Sequence, residues 1–146
     1  MNGLTVATWN AEWRVPGSED AALIRDRLDQ VGADIICLTE AYANIMGSGG
    51  HLIESEPDYG YPLVEGRRKV VLWSREPWEQ VDRVGHAELP PGRFVAGRTM
   101  TAARMVDVIG VCVLIFEQGR TRMRWVTIIA AIALSGWLRR VEIVWS

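Results

Sequence analysis

Two β-branched, apolar runs separated by a single amphipathic helical stretch open the chain, and that order restricts the fold more than any other feature of the sequence. Leu4, Val6 and Thr8 alternate with Thr5, Ala7 and Trp9 up to Asn10, which predicts a strand over residues 4–10. Pro16-Gly17-Ser18 then breaks the chain. Ser18 is a good N-cap, and Glu19 and Asp20 after it suit the positive end of a helix. Ala21, Ile24, Leu28 and Val31 make one stripe at helical spacing, and Gly32 sits where a left-handed C-terminal cap belongs, so the helix is expected to end near Val31. Asp34-Ile35-Ile36-Cys37-Leu38-Thr39-Glu40 follows, an almost continuous apolar run of the kind found in strands buried on both faces.

A strand–helix–strand unit is expected to place its two strands side by side and parallel, so Asn10 and Glu40 should finish at the same C-terminal edge of a sheet. That edge is where sites form in open α/β sheets. A carboxamide oxygen and a carboxylate converging there would make half a site for a hard cation such as Mg²⁺, which takes oxygen ligands and keeps several of its waters. The plain alternative is a pair of polar residues that merely end their strands.

The remaining chain reads as further strands over Tyr59–Glu65, Lys69–Arg75 and Arg104–Phe116, with a polar loop from Gly47 to Pro57 and turns at Gly66, Pro77 and Pro90-Pro91-Gly92. The expected class is therefore α/β. Hydrophobic residues are 49% and charged residues 23% of the 146, which excludes a disordered or collagen-like chain. A formal net charge of −2 argues against a bulk electrostatic binder of nucleic acid. Two cysteines, Cys37 and Cys112, lie inside apolar runs, so a reducing cytoplasm is the expected compartment. The uncharged stretch Trp125 to Leu138 is 14 residues, short of the roughly 20 that a spanning helix needs, and no transmembrane segment is expected.

Thr8-Trp9-Asn10 closing the first strand, Asp34 through Glu40 closing the second, and Lys69-Val70-Val71-Leu72-Trp73-Ser74-Arg75 as a later strand together resemble the endonuclease/exonuclease/phosphatase superfamily. The resemblance implies two β-sheets packed as a sandwich with helices outside, of which this chain would carry a portion. It also implies hydrolysis of a phosphate ester, in a nucleic acid or a small phosphodiester or phosphomonoester, with one divalent metal, Mg²⁺ or Mn²⁺. By position, Glu40 matches the metal-binding glutamate of that family. Asn10 matches the asparagine that holds the metal or the substrate phosphate, and both are thereby expected to be catalytic.

The family's acid–base residues come later, in a Gly-Asp-x-Asn strand end and a Ser-Asp-His near the C-terminus. This sequence contains neither motif. Its two histidines, His51 and His86, lack an adjacent aspartate and read as surface residues. Glu12 could approach a metal bound at Asn10, but reads more simply as an exposed loop glutamate. Arg67, Arg68 and Lys69 form the densest basic cluster; guanidinium forks suit phosphate, yet such a run also fits a solvated turn. Arg93 and Arg98 flank a short apolar segment and could reach a substrate from a sheet end, or serve as ordinary surface arginines. Trp73 and Trp78 are expected in the core or at its rim.

The chain changes character near its end. Residues 1–110 carry 16 acidic and 11 basic side chains, whereas residues 111–146 carry 2 and 5. Residues 1–113 are expected to form the N-terminal part of the family domain. Residues 114–146 read as an atypical arginine-rich and apolar tail, as a shifted frame or a truncated gene would produce, and the chain alone is then expected to be nearly inactive. The competing expectation is a non-catalytic module that pairs its sheet edge with a partner or forms a homodimer.

Overall fold

The computed structural model describes residues 3–102, 104–116, 123–133 and 141–144, with side chains described as far as residue 113. Leu4–Asn10 is β1, Glu19–Val31 is α1 and Ile35–Tyr42 is β2. β3 spans His51–Glu54, β4 Arg67–Ser74, β5 Trp78–Asp82, β6 Phe94–Met100 and β7 Met105–Phe116; β8 is Met123–Ala133 and β9 Val141–Val144. One sheet has the order β3-β4-β2-β1-β9, the other β5-β6-β7-β8. This two-sheet α/β arrangement is the one that the sequence led us to expect.

The opening unit forms as its sequence dictates. Ser18 Oγ accepts the Ala21 N–H at 3.2 Å, and Gly32, at φ +63°, caps the other end by donating to the carbonyls of Asp29 and Leu28. β1 and β2 pair in parallel, with Val6 beside Ile35 and Asn10 beside Thr39. β2 is inward on both faces. Ile35 and Cys37 join Val6, Val70 and Leu72 against Val95, Val106, Val108 and Cys112 between the sheets, whereas Ile36 and Leu38 pack with Ala21, Ile24 and Leu28 of the helix.

The two sheets approach closely at Gly110. A methyl group there would lie 2.8 Å from Val70 Cγ1, 3.0 Å from Leu72 Cδ2 and 3.3 Å from Cys37 Sγ, so the missing side chain is what lets β7 lie against β4 and β2.

Three expectations need correction. Tyr59–Glu65 is not a strand: Gly60, at φ +84°, and Pro62, which offers no N–H, hold it as a loop, with Asp58 Oδ1 accepting the Gly60 N–H at 3.0 Å. The segment 47–57, read as loop, contains β3, whose Ile53 enters the inter-sheet core while antiparallel pairing to β4 supplies its ladder. The basic cluster Arg67-Arg68-Lys69 is not a turn but the start of β4, paired with β2 through Tyr42↔Arg67 and Ala41↔Arg68. β5 and β6 also lie outside the strands read from the sequence. β7 and β8 form an antiparallel hairpin whose register continues across residues 113 and 114. The structure does not describe residues 134–140, so the end of the uncharged stretch lies outside the described residues. Among those that are described, no helix is long and apolar enough to cross a membrane.

Candidate functional site

Parallel pairing sets Asn10, the last residue of β1, beside Thr39 and so next to Glu40, as expected, but Glu40 does not end its strand: β2 continues to Tyr42, and the ladder runs on past the end of β1. The Ala11 N–H donates to the Thr39 carbonyl at 2.8 Å and the Trp13 N–H to the Glu40 carbonyl at 2.7 Å. Three residues with side chains adopt positive φ at this edge, Glu12 at 45°, Trp13 at 61° and Glu40 at 50°. Each such conformation costs of the order of 1 kcal/mol or more outside glycine, and strain of this kind collects where a side chain must be aimed.

Glu40 is almost fully buried, at 8% exposure. The antiparallel register that pairs Thr39 with Val70 and Ala41 with Arg68 sets Lys69 directly opposite it. Lys69 Nζ donates to Glu40 Oε1 at 2.7 Å, and the lysine is only 4% exposed. Its ammonium also lies 5.0 Å from the ring centre of Trp13, 5.5 Å from Tyr59 and 5.9 Å from Tyr61. Trp13 and Tyr59 are stacked on one another, 5.8 Å apart. A carboxylate on one side and three ring faces on the other thus compensate the desolvated charge.

Asn10 is half-buried, and its Oδ1 accepts the Glu12 N–H at 2.9 Å, which fixes the carboxamide over the turn that follows β1. Glu12 itself points to solvent and pairs with Arg14 at 3.2 Å. Arg67 stacks between Trp13 and Tyr42 and donates to the Tyr42 hydroxyl at 3.1 Å. Arg68 is turned to Glu54, 3.0 Å away.

The second sheet reaches the same end through Arg93 and Cys112. The Cys112 N–H donates to the Arg93 carbonyl at 2.9 Å, and an Arg93 guanidinium nitrogen lies 3.5 Å from the Tyr59 carbonyl. Burial pushes the Cys112 thiol up to about 11, with Lys69 and Arg93 pulling it down and Glu40 raising it. Arg98 is placed otherwise. It is spent in a two-pronged pair with Asp107 on β7, at 2.7 and 3.1 Å, which holds its guanidinium above the usual arginine range.

Both histidines are exposed, as expected. His51 pairs with Ser74, at the opposite end of β4 from Lys69, and His86 lies beside Glu88 in the loop before β6. Trp73 and Trp78 are half-buried and pack at the rims of the two cores. Sequence reasoning underrated Lys69. A signal for it exists, an odd charge inside Lys69–Leu72 with a carboxylate at the end of a neighbouring strand, but its partner becomes legible only once the β2–β4 register is known.

Among the described residues no group of three or more His, Cys, Asp and Glu side chains is placed to enclose a metal. The donor set at the edge, one buried carboxylate and one carboxamide, suits instead a hard cation that keeps much of its water. A model of the Endonuclease/Exonuclease/phosphatase family matches residues 7–132, a span that runs from β1 into β8 and includes both Asn10 and Glu40. No curated protein and no solved structure matches the chain.

Proposed function

The chain belongs to the endonuclease/exonuclease/phosphatase family, and from that premise we propose that its β1–β2 edge is a divalent-metal site for phosphate-ester hydrolysis. The observation that supports this reading is the neighbouring position of Asn10 and Glu40 on adjacent parallel strands, Asn10 lying beside Thr39. Glu40 and Asn10 would hold Mg²⁺ or Mn²⁺. The bound ion would supply charge neutralisation at the phosphoryl oxygens and at the leaving oxygen.

The chain's own side chains set the surroundings of this edge. With Lys69 matched by Glu40, Arg67 and Arg93 gather positive charge at the same end, which favours an anionic ester and offsets the acidic balance of residues 1–110. Trp13 and Tyr59 make an apolar wall that lowers the local dielectric and strengthens each of these contacts. The substrate class supported is a phosphodiester or phosphomonoester.

Because the sequence contains neither Gly-Asp-x-Asn nor Ser-Asp-His, slow turnover is expected, and the informative quantity is a ratio rather than a rate. Hydrolysis of bis(p-nitrophenyl) phosphate with Mg²⁺ should fall at least about 100-fold in Glu40→Gln and vanish with excess EDTA, the loss typical of a ligand on which the transition state depends. Turnover that Glu40→Gln leaves unchanged contradicts the proposal. The competing reading, a non-catalytic module that dimerises through a sheet edge, predicts instead concentration-dependent sedimentation with no metal-dependent turnover.

A further inference from the structure

Lys69 is the only lysine in the chain; the other 15 of the 16 basic residues are arginines. Its position is built rather than incidental. The register sets it across from Glu40, its ammonium is 2.7 Å from Oε1, and the rings of Trp13, Tyr59 and Tyr61 lie within 5.9 Å of it. An ammonium is a compact point charge, unlike the planar fork of arginine, and it fills the space beside a single carboxylate oxygen as a small cation would.

We propose that Lys69 is a resident counter-cation of Glu40, which a divalent ion must displace before it can use that carboxylate. The inference rests on Glu40 being a cation ligand, the reading given above. A buried carboxylate left alone is costly, so the lysine lets β2 and β4 pair in the absence of metal. The same neutralisation removes much of the attraction that would draw a divalent ion to the edge. Lys69 is thus a positioning residue that sets metal affinity, and displacement moves its ammonium out of the 2.7 Å contact while the aromatic faces remain to receive it.

The test is Mn²⁺ binding, followed by water-proton relaxation at fixed pH, in the unaltered protein, Lys69→Met, Glu40→Gln and the double variant. Lys69→Met should bind Mn²⁺ at least 10-fold more tightly, and Glu40→Gln should lose binding with or without the lysine. If Glu40→Gln loses binding while Lys69→Met is unchanged or weaker, the counter-cation role is wrong and the metal role of Glu40 stands. If Glu40→Gln binds as the unaltered protein does, both fail.

A second measurement needs no substitution and covers the case in which Lys69→Met does not fold. With [¹⁵N]lysine the chain gives one side-chain ammonium resonance, shifted by the rings that face it. Saturating Mg²⁺ should move or remove that resonance along a 1:1 binding curve. A resonance that stays in place while Mn²⁺ competition shows the Mg²⁺ site filled would overturn the proposal.

Discussion

Lys69 and Glu40 face each other across the β2–β4 ladder with 2.7 Å between Nζ and Oε1, both nearly excluded from water. Such a pair is asymmetric in its energetics. Its net contribution to stability is small, because both charges were desolvated to form it, but either partner left alone is a buried unpaired charge.

Lys69→Met should therefore destabilise the fold by about 3–5 kcal/mol, and the double variant Glu40→Gln/Lys69→Met by clearly less than that. Urea denaturation of the four proteins in EDTA checks this cycle. Additive losses would mean that the two charges are not coupled.

Gly110→Ala should cost about 1–3 kcal/mol, since its methyl group would be forced to within 2.8 Å of Val70 Cγ1 and 3.0 Å of Leu72 Cδ2. A shift of the urea midpoint with no change in slope would locate the effect in the packing of the folded state.

Cys37 is fully buried, and burial pushes its thiol up to about 12, with Cys112 following at about 11. Thiolate is the reactive form, so neither thiol should react with Ellman's reagent at pH 8 until the chain is unfolded. The sign of the linked pH effect follows. Folded-state values above the ordinary thiol value of 9.0 mean that the folded chain holds these protons more tightly than the unfolded chain does. This contribution is complete below about pH 9 and is lost as pH rises through about 11 and 12. The urea midpoint should accordingly decline above pH 9 and not between 7 and 8.5.

The opening unit was legible because several local signals agree: the Ser18 cap, the Gly32 cap, the helical stripe and the long apolar run into Glu40. Strands whose signal is tertiary were not. β3 follows the glycine-rich loop 47–50 and commits mainly Ile53 to the core. β6 is interrupted by Gly97, where a methyl group would meet Ile53 Cδ1 at 2.7 Å and Trp78 Cε3 at 2.9 Å, so its glycine serves packing rather than a turn. Tyr59 and Tyr61 carry strand-like composition but form an aromatic wall on a loop held by Gly60 and Pro62.

The candidate site divides in the same way. Asn10 and Glu40 could be placed at one edge from strand order alone, because a parallel pair fixes which ends coincide. Lys69 could not, since three consecutive basic residues look like a solvated turn until antiparallel pairing buries one of them opposite a carboxylate. Arg98 shows the converse, an arginine open to a substrate on paper that Asp107 holds across the β6–β7 hairpin.

Shared coordination by Asn10 and Glu40 is tested most directly by titrating Mn²⁺ into the unaltered protein, Asn10→Ala and Glu40→Gln and following water-proton relaxation. Both substitutions should weaken a single Mn²⁺ site by at least about 10-fold, the scale on which mutations at a metal site act. Equal affinity in all three proteins would contradict a metal site at the β1–β2 edge.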